Sequence, residues 1–204
     1  MKGLFIVFEG IAGAGKKTHI SLLKEKLGSI GKETFVLSFP DYENPIGRLT
    51  KRTEIDSYTQ ALLFAADRYF HQKDIAEALK IGKVVLCDRY SYSNYIYQSV
   101  LGVDEEWLRE IEKNLIKPHI VFLIDVPVEI GIKRIRQSKI GEFVKKEIVD
   151  RLERQRDILE KVRRKYLEVS KSEKEVEWHV IDGTRTVEEI QAEIWKIVTK
   201  KLSE

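Results

Sequence analysis

The sequence predicts an α/β fold: a five-stranded, mostly parallel, doubly wound sheet with helices on both of its faces. Five short apolar runs are typical of strands, at 4–8, 34–39, 84–88, 120–126 and 176–182. Most of these runs are too uniformly apolar for a sheet that has one face in water. Segments with helical spacing separate them, as crossovers between parallel strands require, at 17–30, 56–80, 104–115, 128–138, 147–170 and 186–202.

Length and charge limit the kinds of protein this chain can be. With 204 residues, of which 43% are hydrophobic, it can bury one sizeable core, so we expect a single domain over 1–204. The net charge is only +3 with 34% charged residues, which indicates interspersed charges and no nucleic-acid-binding surface. The single Cys87 excludes an intramolecular disulfide framework and indicates a reducing compartment. No apolar run has membrane-spanning length and the first is too short for a signal peptide, so we expect a cytoplasmic protein.

The first predicted strand leads into a glycine-rich turn, "EGIAGAGKKTHI", at 9–20. Glycines allow positive φ and close approach to a ligand, so successive amides can point at phosphate oxygens. The start of the following helix adds partial positive charge, and Lys16 adds a full charge. A strand–helix turn that binds nothing is the alternative, but the spacing favours a triphosphate-binding loop. The predicted ATP-binding residues are Gly10, Ile11, Ala12, Gly13, Ala14, Gly15, Lys16, Lys17 and Thr18.

Two further stretches carry candidate site residues. The run 84–88 ends in Asp88 and Arg89, and the carboxyl edge of a parallel sheet faces the same crevice as the phosphate loop. An acid for a metal and a base for a phosphate would meet there, although a surface ion pair that caps a strand is an alternative. In "ALLFAADRYFHQ", Phe64 and Arg68 lie four residues apart and could grip a flat base. Taken alone, that second stretch is better interpreted as a core Phe beside a solvated Arg.

Six motifs in this order resemble the thymidylate kinase family of P-loop nucleoside monophosphate kinases. They are FEGxxGxGKxT at 8–18, FPxYxxxIG at 39–47, LLFAADR at 62–68, DRYxxSNxxY at 88–97, DVPxExGIxR at 125–134 and IDG at 181–183. The resemblance implies a P-loop kinase fold with a lid segment, and Mg²⁺-dependent transfer of the γ-phosphoryl group of ATP to dTMP, giving dTDP. It also implies a homodimer.

The resemblance also implies roles for single residues. Phe64 should stack on thymine, Arg68 should bond its O4 and Asn94 should contact the base. Tyr97 should lie against the sugar, and Arg89 should hold the acceptor phosphate. Phe39 and Tyr42 match a loop that closes over the monophosphate. The predicted catalytic residues are Lys16, Asp88, Arg89, Arg134 and Arg136, with Asp88 as the metal ligand.

The predicted lid is a basic insert at about 136–150. Family members keep a catalytic arginine either in the phosphate loop or in the lid. Because the loop position here is Gly13, the lid must supply that arginine. The candidates are Arg134, Arg136, Arg151, Arg154 and Arg156, and the sequence does not decide among them.

The sequence departs from the family pattern at three positions. Lys17 stands where the motif has a hydroxyl ligand for magnesium, and Ala12 stands where the family has Asp or Glu. Many members also have an arginine near Tyr42, and its absence here is the third departure. The alternative function is therefore a nucleotide-binding paralogue of the same fold with weak activity, or with a shifted acceptor such as dUMP. A deoxynucleoside kinase is a further alternative, disfavoured by LLFAADR and SNxxY.

Overall fold

The computed structural model describes residues 3–52, 54–138 and 141–204. Within them, five strands form one sheet in the order β2-β3-β1-β4-β5, and every pairing is parallel. The strands are β1 (Leu4–Glu9), β2 (Thr34–Ser38), β3 (Val84–Asp88), β4 (Ile120–Asp125) and β5 (Glu177–Asp182). The predicted fold class is confirmed, and the sheet is fully rather than mostly parallel. The five strands lie within about a residue of their predicted positions.

Helices connect the strands and cover the sheet. They are α1 (Lys16–Ser29), α2 (Pro45–Leu49), α3 (Ser57–Phe70), α4 (Gln72–Lys80), α5 (Ser91–Val100), α6 (Glu105–Glu112), α7 (Val128–Arg136), α8 (Glu142–Arg154), α9 (Arg156–Ser172) and α10 (Val187–Ser203). None of the helices in the described residues is long and apolar enough to cross a membrane.

Two predicted helices differ from the structure, and two helices of the structure, α2 and α5, were not predicted. The segment predicted as one helix at 56–80 is two helices, because the chain leaves helical geometry at His71 (φ −93°, ψ 2°). The segment predicted at 147–170 is likewise two helices, α8 and α9, which meet at Gln155. Helix α5 was not predicted, since tyrosine, serine and asparagine are weak helix formers and dominate its sequence. Tertiary packing therefore decides these boundaries.

The core lies on both faces of the sheet, as the apolar runs predict. All six residues of β1 are buried. Phe5 and Val7 pack on one side with Ile75 of α4, whereas Ile6 and Phe8 belong to the larger cluster on the other side. The central strand therefore brings its carboxyl end, and the loop that follows it, to a rigid edge of the sheet.

Part of the predicted lid is helical. Residues 139 and 140 of that prediction lie outside the described residues, and α8 accounts for 142–150. The side chain of Phe143 is 84% exposed, as an external segment requires. Two surface ion pairs connect this region to α7: Arg136 with Glu153, and Arg156 with Glu129.

Candidate active site

The loop between β1 and α1 has the geometry of an anion-binding turn. Gly10, Gly13 and Gly15 have φ values of 134°, 76° and 101°, which side chains rarely tolerate. A Cβ on Gly13 would stand 2.1 Å from the carbonyl oxygen of Gly131 on α7, so the loop packs directly on that helix. In turn, a Cβ on Gly131 would lie 2.5 Å from the Ala12 carbonyl oxygen. Position 13 therefore has no room for an arginine.

Lys16 is buried beneath this loop. Its ammonium donates hydrogen bonds to the carbonyl oxygens of Gly10 and Ile11, at 3.0 and 3.1 Å. Burial, reinforced by the positive charge of Arg89, lowers the pKa of Lys16 to about 7. A polyphosphate beside this ammonium would favour its charged form. Lys16, the predicted phosphate-binding lysine, thus lies where a bound anion would stabilise its charged form.

Asp88 and Arg89 end β3 beside Lys16, as the topology predicts. Arg89 has a positive φ of 67°, an uncommon conformation for a residue with a side chain. Its guanidinium lies 5.2 Å from the centre of the Tyr97 ring and donates to Ser93 Oγ at 3.0 Å. The Oδ1 atom of Asp88 is buried and has no hydrogen-bond partner among the described residues. A free carboxylate oxygen and a half-buried guanidinium therefore lie together at this edge of the sheet.

Glu9 holds this arrangement together, and the sequence analysis did not single it out. Its fully buried carboxylate accepts hydrogen bonds from the Tyr90 and Ser93 amides at the start of α5, at 2.9 and 3.2 Å. It also accepts from Ser93 Oγ at 2.6 Å and from the Tyr166 hydroxyl of α9 at 2.8 Å. One carboxylate thus joins three elements around Arg89. Its place in the FEG motif was the signal that could have identified it.

A second part of the site lies between α3 and α5. Arg68 is buried between two aromatic rings, with its guanidinium carbon 5.7 Å from the centre of Phe39 and 5.9 Å from that of Phe64. Asn94 of α5 is 1% exposed and donates to the Ala61 carbonyl oxygen at 3.1 Å. Arg68 Nε and Asn94 Oδ1 are buried and have no partner within the described part of the chain. One free donor and one free acceptor are thus buried on adjacent helices.

Comparison with known proteins identifies the family. The sequence model of the thymidylate kinase family matches residues 8–194. The chain belongs to the thymidylate kinase family. It is 41% identical over 197 residues to the probable thymidylate kinase of Methanocaldococcus jannaschii, covering 94% of this chain and 93% of that protein. It is 38% identical to the probable thymidylate kinase of Thermococcus kodakarensis, covering 98% and 100%, and 36% identical to the thymidylate kinase of Plasmodium falciparum, covering 98% and 91%.

The family motif at 39–47 is a loop anchored to α3. The buried Asp67 carboxylate accepts from the Asp41 amide at 2.9 Å and from Asn44 Nδ2 at 2.7 Å. Gly47 is required here, since a Cβ would lie 1.9 Å from the Asp41 carbonyl oxygen. Phe39 is buried at one end of the loop, whereas Tyr42 is 43% exposed. The two predicted closing-loop residues therefore have different surroundings.

The arginines of the predicted lid also differ in their surroundings. Arg134 donates to the carbonyl oxygens of Ala14 at 3.3 Å and Gly183 at 2.7 Å, which connects three motifs of the thymidylate kinase family. Arg136 is exposed and paired with Glu153, and Arg156 is paired with Glu129. Of these, Arg134 directly contacts the phosphate loop.

Proposed function

We propose that this thymidylate kinase family member transfers the γ-phosphoryl group of ATP to dTMP, giving dTDP. The observation that carries the proposal is that Arg68 Nε and Asn94 Oδ1 are buried without a partner in the described part of the chain. The Arg68 guanidinium lies 5.9 Å from the centre of the half-buried Phe64 ring. A donor beside an acceptor complements O4 and N3–H of thymine or uracil. Cytosine presents an amine and an unprotonated nitrogen at the same positions, so it would meet a donor with a donor.

The two phosphate groups have separate binding residues in this proposal. The glycine-rich loop and Lys16 hold the ATP phosphates, and Arg89 holds the acceptor phosphate. Tyr97, whose ring lies beside the Arg89 guanidinium, supports the acceptor sugar. During transfer, negative charge spreads over the equatorial oxygens, and cations already held in place stabilise it without rearrangement. Lys16 and Arg89 supply two such charges at the same sheet edge.

A third positive charge that stabilises the transferred group comes from the lid side of the site. The tight contact between Gly13 and Gly131 leaves no space for an arginine side chain in the loop. We propose Arg134 and Arg136 as the residues that supply it. Arg134 is held at the phosphate loop through Ala14, while Arg136 is attached to α8 through Glu153. Movement of α8 would therefore change the position of Arg136.

The residues present fit a magnesium ion bound with ATP. Asp88 offers a buried carboxylate oxygen that has no partner among the described residues. No group of three or more His, Cys, Asp or Glu side chains in the described part of the chain could hold a metal. Mg²⁺ accepts one protein carboxylate together with phosphates and waters, so the missing hydroxyl at Lys17 is compatible with it. When bound, the ion would neutralise charge on the transferred phosphate.

Steady-state kinetics with ATP and dTMP, dUMP or dCMP test the proposed function. We expect kcat/KM to be highest for dTMP and dUMP, and at least about tenfold lower for dCMP, because mismatched buried donors are costly. A weak paralogue with Ala12 in place of a carboxylate would bind ATP but show little turnover with any acceptor. Equal rates with dTMP and dCMP at low concentration would contradict the proposed acceptor.

We further propose that the enzyme is a cytoplasmic homodimer. Helix α3 has four large exposed apolar side chains. Besides Phe70 at its end, they are Tyr58, Leu62 and Tyr69, which are 47%, 49% and 38% exposed. Their spacing puts them along one side of the helix, and contiguous apolar side chains of this size are typical of an interaction surface.

A further inference from the structure

Glu112, at the end of α6, is a buried carboxylate outside all six sequence motifs. Its side chain is 5% exposed, and its Oε1 lies 2.9 Å from Nη1 of Arg68, whose side chain is 3% exposed. Asn94 lies close enough to the same carboxylate to lower its pKa. Glu112 therefore lies beside both side chains that are proposed to contact the acceptor base, and it is paired with Arg68.

An ionised carboxylate can only accept hydrogen bonds, and this fixes the orientation of Arg68. Arg68 turns Nη1 toward Glu112 and toward the Phe64 carbonyl oxygen, 2.7 Å away, which leaves Nε–H without a partner among the described residues. Asn94 must direct its NH₂ group at the Ala61 carbonyl oxygen, since a carbonyl cannot donate. Its Oδ1 acceptor remains available.

We propose that Glu112 is a positioning residue that determines which pyrimidine this enzyme accepts. By holding the guanidinium in one orientation, it presents a donor to the base, and so selects a ring with a 4-keto oxygen. This inference rests on the proposed function. It extends that function because Glu112 acts through Arg68 and does not itself contact the substrate.

The ionisation state of Glu112 gives a second consequence. Burial raises the pKa of Glu112 to about 7, although Arg68 and Asn94 pull it down. The other ionisable groups that interact with it are Glu9 at the end of β1, which raises its pKa, and Tyr90 after β3. Below this pH the protonated acid no longer forms an ion pair with Arg68, so the guanidinium is held less firmly in its orientation. Discrimination against cytosine should therefore fall as the pH decreases through 7.

The experiment compares the full-length protein with Glu112→Gln, Glu112→Asp and a control, Glu110→Gln. Glu110 lies on the same helix, and its side chain is 64% exposed and paired with Lys113. The measured quantity is the ratio of kcat/KM for dTMP to that for dCMP, because effects on ATP or on phosphate binding cancel in it. The ratio is also measured for the unsubstituted protein from pH 8 down to about pH 6, on either side of the pKa.

We expect Glu112→Gln to reduce the ratio by about tenfold, the effect of one mismatched buried hydrogen bond. Glu112→Asp should retain part of the discrimination, and Glu110→Gln should leave it unchanged. An unchanged ratio in a folded Glu112→Gln variant overturns the inference but leaves the proposed function intact. If that variant does not fold, a ratio independent of pH overturns it instead. An unsubstituted protein inactive toward dTMP overturns the proposed function and the inference with it.

Discussion

The side chain of Lys16 lies in a place where water is largely excluded. Its ammonium is bonded to two carbonyl oxygens of its own loop, and burial is the main reason that its pKa falls to about 7. In the free protein at pH 8 much of this lysine is therefore neutral. A bound triphosphate stabilises the charged form, so binding must be coupled to proton uptake.

We expect ATP binding to take up protons at pH 8 and to weaken as the pH rises from 7 to 9. Both effects follow from a pKa that is low in the free protein and higher in the complex. Titration calorimetry in buffers of different ionisation enthalpy measures the uptake. Lys24→Met is the matched control, because Lys24 is exposed on α1 outside the glycine-rich loop and its removal should preserve the uptake. Identical binding enthalpies in all buffers would contradict this assignment.

At the level of elements, the contact between the phosphate loop and α7 has almost no spare volume. Gly131 lies within a helix, where alanine normally stabilises by about 1 kcal/mol relative to glycine. Here the added Cβ would stand 2.5 Å from the Ala12 carbonyl oxygen. The backbone of one element must therefore move, and such overpacking costs about 1–3 kcal/mol.

Gly131→Ala should lower the free energy of unfolding and raise KM for ATP, because the displaced segment is the phosphate loop itself. Gly28→Ala provides the opposite case. Gly28 is also helical, and a methyl group added there would meet no atom of another described element within 4 Å, so this change should stabilise the protein by about 0.5–1 kcal/mol. Chemical denaturation and ATP kinetics of the two variants test the contrast. A Gly131→Ala variant as stable as Gly28→Ala would show that the loop does not pack closely on α7.

Asp67 holds the 39–47 loop in place by accepting two hydrogen bonds from it. Replacing it with alanine leaves two buried donors, the Asp41 amide and the Asn44 side chain, without their acceptor. We expect Asp67→Ala to destabilise by about 2 kcal/mol or more, since buried unpaired donors are costly. Because this loop contains Phe39 and Tyr42, KM for dTMP should rise while KM for ATP changes little.

Asp74→Ala is the control for that measurement. Asp74 contacts the histidine that also bonds the 39–47 loop, with its Oδ2 3.6 Å from His71 Nδ1, but its side chain is 54% exposed. Its removal should alter neither KM, because surface ion pairs contribute little. If Asp67→Ala changed the two KM values equally, the loop would not be specific to the acceptor.

At the scale of the whole molecule, the exposed apolar side of α3 is the proposed dimer interface. Leu62→Glu should convert a dimer into a monomer, because a charge cannot be buried without a partner. Sedimentation equilibrium measures the mass. Ile81→Glu is the control, since Ile81 is 69% exposed at the end of α4, outside this surface, and should not change the mass. Dimers that survive Leu62→Glu would require another interface.

The sequence alone predicted the strands and the phosphate loop because both depend on local patterns. Short apolar runs separated by helical segments are typical of a parallel sheet covered on both faces, and the glycine spacing before Lys16 fixes the turn. Helix α5 lacked such a signal, since its aromatic and polar residues favour a helix only once Glu9 accepts from the amides at its start. The division at His71 similarly depends on contacts of that side chain with Asp41 and Asn44.

By itself, the sequence determined the fold class, the order of the motifs and the position of the glycine-rich loop. Only the tertiary structure decided what surrounds them. Glu9 meets Tyr166 across 157 residues of chain, and Arg68 meets Glu112 across 44. The spacing of residues in the sequence does not reveal such contacts, because the sequence does not distinguish a buried glutamate from a solvated one. Burial, which depends on the whole packed chain, turns Glu112 from an ordinary helix residue into the partner of Arg68.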